Sequence, residues 1–87
     1  MKKQVSSVEA SLRLDAVGSA GMGISRSKMA DAIKAGLVFV NWKEAESPNA
    51  TIRAGDMITV RGKGRVEVLE VHETKKERFR VVMNRIS

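Results

Sequence analysis

The stretch from Ile24 to Lys43, ISRSKMADAIKAGLVFVNWK, constrains the fold most, because its local signals agree with one another. Ser25 is a good N-cap, since its hydroxyl can accept one of the backbone amides left free at a helix start. Ile24 before the cap and Met29 at the fourth helical position match a hydrophobic staple. Met29, Ala32, Ile33 and Gly36 recur at spacings of three and four and define one buried face. Arg26, Ala30 and Lys34 lie along another, with Ser27 and Asp31 beside it. Gly36 is the expected stop, because a left-handed backbone costs glycine little. Leu37–Val40 is apolar throughout and reads as a short buried strand, with Phe39 in the core. Asn41-Trp42-Lys43 then makes a turn, Asn being tolerant of positive φ.

On either side the signals are weaker. Residues 1–5 read as a loose lead-in. Ser6 and Glu9 fit a capping box, which predicts a first helix from about Ser7 towards Ala20 with Val8, Leu12 and Ala16 on its apolar side and Gly21 as its stop. Glu44–Asn49 is polar and holds the only proline, Pro48. Thr51–Ile52 is a candidate short strand, Ala54-Gly55-Asp56 a turn, and Met57–Arg61 a strand. Gly62-Lys63-Gly64 is a tight turn, Arg65–Val71 a strand, His72–Glu77 a loop and Arg78–Met83 a final strand. The expected class is α+β: two N-terminal helices packed on a small, mostly antiparallel sheet of short strands. At 87 residues the chain is one domain, with a core motif over about 12–61 and a β extension over 62–87.

Sixteen Lys and Arg against ten Asp and Glu give a net charge of +6. Such an excess suits a polyanionic partner, either nucleic acid or an anionic membrane surface, though a merely soluble basic surface has the same composition. The chain has no cysteine, which excludes disulfides and thiolate metal sites. The single histidine, His72, lies among charges and reads as a solvated surface group. No segment has the length or apolarity of a membrane span or secretory leader, so a cytoplasmic location is the default. Asp15, Asp31 and Asp56 fall on separate elements, Asp15 and Asp56 as braces of local structure. Ser25 and Ser27 have no histidine partner. General acid–base or nucleophilic chemistry needs such partners, so the expectation is a non-enzymatic monomer without catalytic residues, metal or cofactor.

Two segments point to anions. Arg61-Gly-Lys-Gly-Arg65 places three cations around two glycines. It reads equally as a concave nest of inward-turned amides or as a glycine hairpin with solvated charges. Arg26 and Lys28 lie in the first turn of the second helix, where the dipole disfavours cations; the placement makes more sense if an anion docks on the free amides there. Trp42 either stacks on a base or folds onto the hydrophobic rim. With Phe39 and Phe79 as the only other aromatics, there is no platform for several bases, so an RNA partner would be met through shape and phosphate contacts.

The pieces Arg13-Leu-Asp15, Ile24-Ser-Arg-Ser-Lys28, Ile33-x-x-Gly36, Val38-Phe-Val-Asn41 and Gly55-Asp56-x-Ile58 fall in the order of the S-four RNA-binding domain, also called the alpha-L motif. The sequence resembles that family over roughly residues 12–61. Trp42, where most members have glycine, and the following Arg-Gly-Lys-Gly-Arg segment look like the C-terminal domain of the YlmH-like proteins, the photosystem II S-four-domain proteins of cyanobacteria and plastids. Those proteins carry a longer N-terminal region, so the resemblance implies an excised or free-standing domain. It also implies binding of structured RNA, rRNA or tRNA on the ribosome, with no small-molecule substrate. The RNA-facing residues it implies are Arg13, Ser25, Arg26, Lys28, Lys34, Asn41 and Lys43, extended by Trp42, Arg61, Lys63 and Arg65. Gly36, Gly55 and Asp56 would be structural. The rival expectation is a module that docks on acidic protein or an anionic membrane surface without inserting into the membrane, a class that a photosystem-linked role would fit.

Overall fold

The computed structural model describes residues 2–86. In chain order it contains β1 (Lys2–Glu9), α1 (Leu14–Met22), α2 (Arg26–Lys34), β2 (Val38–Val40), β3 (Lys43–Glu44), β4 (Met57–Val60), β5 (Gly64–Glu73) and β6 (Phe79–Ile86). The strands form one sheet in the order β1-β6-β5-β4-β2-β3, and every neighbouring pair is antiparallel. Two helices packed on this open sheet make an α+β fold, as the sequence predicts. No helix among the described residues is long and apolar enough to cross a membrane.

The N-terminal expectation is overturned. Residues 2–9 are neither a lead-in nor a capped helix but a strand, paired along its whole length with β6 from Lys2↔Ile86 to Glu9↔Phe79. The Ser6/Glu9 pattern is only a local preference, and a full ladder of backbone hydrogen bonds to the far end of the chain outweighs it. A strand thus precedes the helices, and the first helix starts at Leu14, not Ser7. β1, β5 and β6 are also longer than the short strands expected, and β5 continues through His72 to Glu73.

α1 has almost no solvent face: Leu14 to Ser19, Gly21 and Met22 are all buried. A helix covered on nearly every side sits inside a core, and its few polar side chains, Asp15 and Ser19, are hydrogen-bonded there. Here it lies against α2 on one side and β1, β5 and β6 on the other. Its start is held by the loop after β3, because the Leu14 amide donates to the Ala50 carbonyl at 2.8 Å and the Asp15 amide to Pro48 at 3.0 Å. Its stop is Gly23, at φ 71, and not Gly21. Gly21 instead lets the helix approach the sheet: a Cβ there would lie 2.8 Å from Val66 Cγ1 and 3.0 Å from Met83 Sδ.

α2 follows its signals closely. The Ser25 hydroxyl accepts from the Lys28 amide at 3.1 Å. At the other end the Leu37 amide donates to Ala32 and the Gly36 amide to Ile33, with Gly36 at φ 76; these are the paired bonds of a Schellman stop. Below the helices the sheet alternates. Val38, Ile58, Val60, Val66, Val68, Val81 and Met83 are buried in one cluster with Leu14, Val17, Met29 and Ile33. Phe39 lies outside this cluster, half-buried opposite Thr59. Its neighbours Val38 and Val40 take the helix side, and the pleat sends Phe39 to the other.

Gly21→Ala is therefore expected to lower stability by about 1–3 kcal/mol through overpacking against Val66. Gly18→Ala should be nearly neutral, since its Cβ meets the flexible end of Met29, the Cε methyl, and alanine gains about 0.5–1 kcal/mol in helix propensity. Urea unfolding of the two variants distinguishes these costs.

Candidate nucleic-acid interface

The basic residues expected at the interface fall into two groups. The first gathers at the starts of the two helices around Asp15, which is 7% exposed. Its Oδ1 accepts from Arg13 Nε at 3.1 Å and its Oδ2 from Arg13 Nη2 at 3.2 Å. Oδ2 also accepts from Arg26 Nη2 at 3.2 Å. One carboxylate thus fixes two guanidiniums from different helices. Burial pushes the Asp15 carboxyl up, but the hydrogen bonds and charges of Arg13 and Arg26 outweigh this and hold it below the ordinary value. Both oxygens are occupied, so Asp15 braces and does not act as a base.

The arginines remain available. A guanidinium has five N–H donors; Arg13 spends two on Asp15 and Arg26 spends one. Their side chains are 44% and 58% exposed. Beside them the first-turn amides of Arg26 and Ser27 have no intrahelical acceptor, the Ser25 hydroxyl being taken by Lys28. The dipole argument now separates two residues. Arg26 is compensated by Asp15, whereas Lys28 is exposed and forms no ion pair among the described residues. Lys34 sits in the last turn of α2, about 12 Å further along the axis at 1.5 Å per residue, where a cation suits the dipole.

The second group lies on the hairpins. Asn41 and Trp42, at φ 52 and 68, form the two-residue turn between β2 and β3. The Asn41 side chain is committed internally: its Nδ2 donates to Asp56 Oδ1 at 2.9 Å and its Oδ1 accepts from the Met57 amide at 3.0 Å. Asp56 Oδ2 in turn accepts from the Arg53 amide at 2.8 Å. Asn41 and Asp56 therefore tie the hairpin to the start of β4. Lys43 is exposed and lines a concavity of about 490 Å³ with Thr51, the bridge partner of Arg13. At the β4–β5 turn the Arg61 amide donates to Leu37 and the Lys63 amide to Val60. With those amides spent, the nest reading of this segment gives way to the hairpin one, with Arg61, Lys63 and Arg65 exposed on it.

Pairing of Arg13 with Arg26 was invisible in the sequence, because it joins positions 13 residues apart through a third. The Arg-Leu-Asp spacing signals the near half of the cluster only. His72 is exposed as expected, with Nε2 2.8 Å from Glu70 Oε1.

Asp15→Ala is expected to cost about 1.5–3 kcal/mol, the range for hydrogen bonds to charged groups. Because the folded carboxyl titrates below its unfolded value, its contribution is complete above about pH 4 and is lost as pH falls through the lowered folded value. Thermal melts from pH 7 to pH 2 should show a smaller acid loss in Asp15→Asn than in the wild type.

The S4 domain family matches residues 12–58, from the residue before Arg13 to the middle of β4. The chain is also 43% identical over 76 residues to the ribosome-associated protein quality control protein P2 of Bacillus subtilis (strain 168). That match covers 86% of this chain and 30% of the relative, so the chain spans about a third of that protein's length. The matched span contains both helices, the Asp15 cluster and the β2–β3 hairpin, and the chain belongs to the S4-domain family.

Proposed function

We propose that the chain is a non-enzymatic RNA-binding module that holds structured RNA, rRNA or tRNA, on the ribosome. The observation that carries this is the Asp15 clamp. Two guanidiniums are fixed beside the open first turn of α2, and Lys28 adds an exposed cation to the same turn. Phosphates meet donors that are already ordered, so less side-chain entropy is lost on binding. The relative's name describes a ribosome-associated protein, which supports a ribosomal partner and, with it, a cytoplasmic location. Arg13, Ser25, Arg26 and Lys28 form the centre of the ledge. Lys34 and Lys43 extend it, and Asn41 acts by holding the hairpin in place.

The mechanism is electrostatic and therefore salt-dependent. With about five phosphates neutralised, log K falls against log salt with a slope of about −3 to −5. Arg26→Ala with Lys28→Ala should make the slope shallower by about 1.4–1.8, at 0.7–0.9 per lost contact. The measurement is filter binding of a large-subunit rRNA fragment and of tRNA between 50 and 300 mM salt, with circular dichroism to check the fold. An unchanged slope in a folded double variant would overturn the ledge. Flotation with anionic liposomes, strong while rRNA binding is absent, would favour a membrane- or protein-docking module instead.

A further inference from the structure

The sheet face turned away from the helices carries a second site. Register places Phe39, Thr59, Arg65, Ile86 and Lys2 in one row across β2, β4, β5, β6 and β1. Directly paired residues share a face, and this row alternates with the buried one. At its β2 side a shallow pocket of about 390 Å³ is lined by Trp42, Thr59, Arg61, Arg65 and Ile86, with Gly62 and Gly64 at the hairpin tip. That volume falls within the range of about 300–1,000 Å³ found for small-ligand sites.

Three features of the lining have no use inside the protein. Trp42 occupies a left-handed backbone position at φ 68, which a bulky side chain adopts only under strain. Glycine is the usual residue at the second position of such a two-residue turn. The strain is not repaid by burial, for Trp42 is 68% exposed. Arg61 and Arg65 make no ion pair among the described residues, although Glu67 stands two residues along the same face. The Thr59 hydroxyl is buried and has no hydrogen-bond partner among the described residues. A flat aromatic surface and two free guanidiniums around a shallow hollow suit one chemistry. This is a planar base with a phosphate attached.

We propose that this pocket takes a single unpaired nucleotide of the bound RNA, its base stacked on the Trp42 indole and its phosphate on Arg61 and Arg65. The proposal rests on the RNA-binding reading above and adds to it. The helix-start ledge holds paired backbone through phosphates, and the opposite sheet face selects RNA with an extruded base. One tryptophan makes a one-base site, and no second aromatic lines the pocket.

Trp42 is the only tryptophan of the chain, so its fluorescence reports on the pocket directly. The wild type is titrated with an end-labelled fully paired RNA hairpin, the same hairpin with one bulged nucleotide, and adenosine monophosphate. Label anisotropy gives RNA binding, and indole emission gives occupancy of the pocket. The bulged hairpin should quench Trp42 and bind about 5–100-fold more tightly than the paired one, as one base stacked on an aromatic ring contributes. In Trp42→Gly that ratio should fall to near one, while the melting temperature rises because the turn is relieved. Trp42→Phe should keep part of the ratio. Binding of both hairpins with equal affinity and no change in emission would overturn the pocket and leave the ledge standing. No anisotropy change with either hairpin would overturn the RNA-binding reading and the pocket with it. Quenching by adenosine monophosphate as tight as by the bulged hairpin would reassign the pocket to a free nucleotide.

Discussion

The structure depends on how closely α1 can lie against its neighbours. This helix is buried along nearly its whole length, and a Cβ at Gly21 would meet Val66 at 2.8 Å. Packing density in a core leaves no slack for such a contact. Small residues on α1 therefore set its depth, and that depth determines where its two ends emerge. At the C-terminal end the Gly21 carbonyl accepts from Arg85 Nε at 2.6 Å, which anchors the helix to β6. At the N-terminal end Asp15 arrives within reach of Arg26 on α2.

The electrostatics follow from that placement. A carboxylate at 7% exposure would be unfavourable alone, but two guanidiniums compensate it. The exchange is mutual, since the carboxylate also fixes two long side chains that would otherwise sample many rotamers. The cluster keeps one net positive charge and most of its N–H donors. Its position beside the start of α2 adds the helix dipole and two open amides. The array of donors at this edge thus arises from core packing as much as from surface charge. On the far side of the sheet a different logic applies: Trp42 is strained and exposed, with no burial to offset the strain.

Much of the central unit was legible in the sequence because its signals are local. The Ser25 cap and the Gly36 stop each depend on residues within one turn, and both are observed. The reading failed where partners are distant. Residues 2–9 carry a plausible capping box, yet their partner strand ends at Ile86. Gly21 looked like a helix stop, but its role is set by Val66, 45 positions away in sequence. Phe39 was assigned to the core by composition alone, whereas the pleat of β2 turned it to the open face. Nothing local separates Arg61 and Arg65, which share a pocket with Trp42 on the open sheet face, from Arg13 and Arg26, which meet at Asp15.

The sequence by itself determined the α+β class, the capped basic helix with its glycine stop, the strand and turn that follow it and the cationic character of the surface. Those properties come from capping chemistry, periodicity and charge, which act over a few residues. Only the tertiary structure decided that the chain begins with a strand, that Asp15 joins Arg13 to Arg26, and that Trp42 shares a pocket with Arg61 and Arg65. Each of these is a contact between segments far apart in the chain. Such contacts are selected by how the whole core packs and how strands find their register, and no local propensity encodes them.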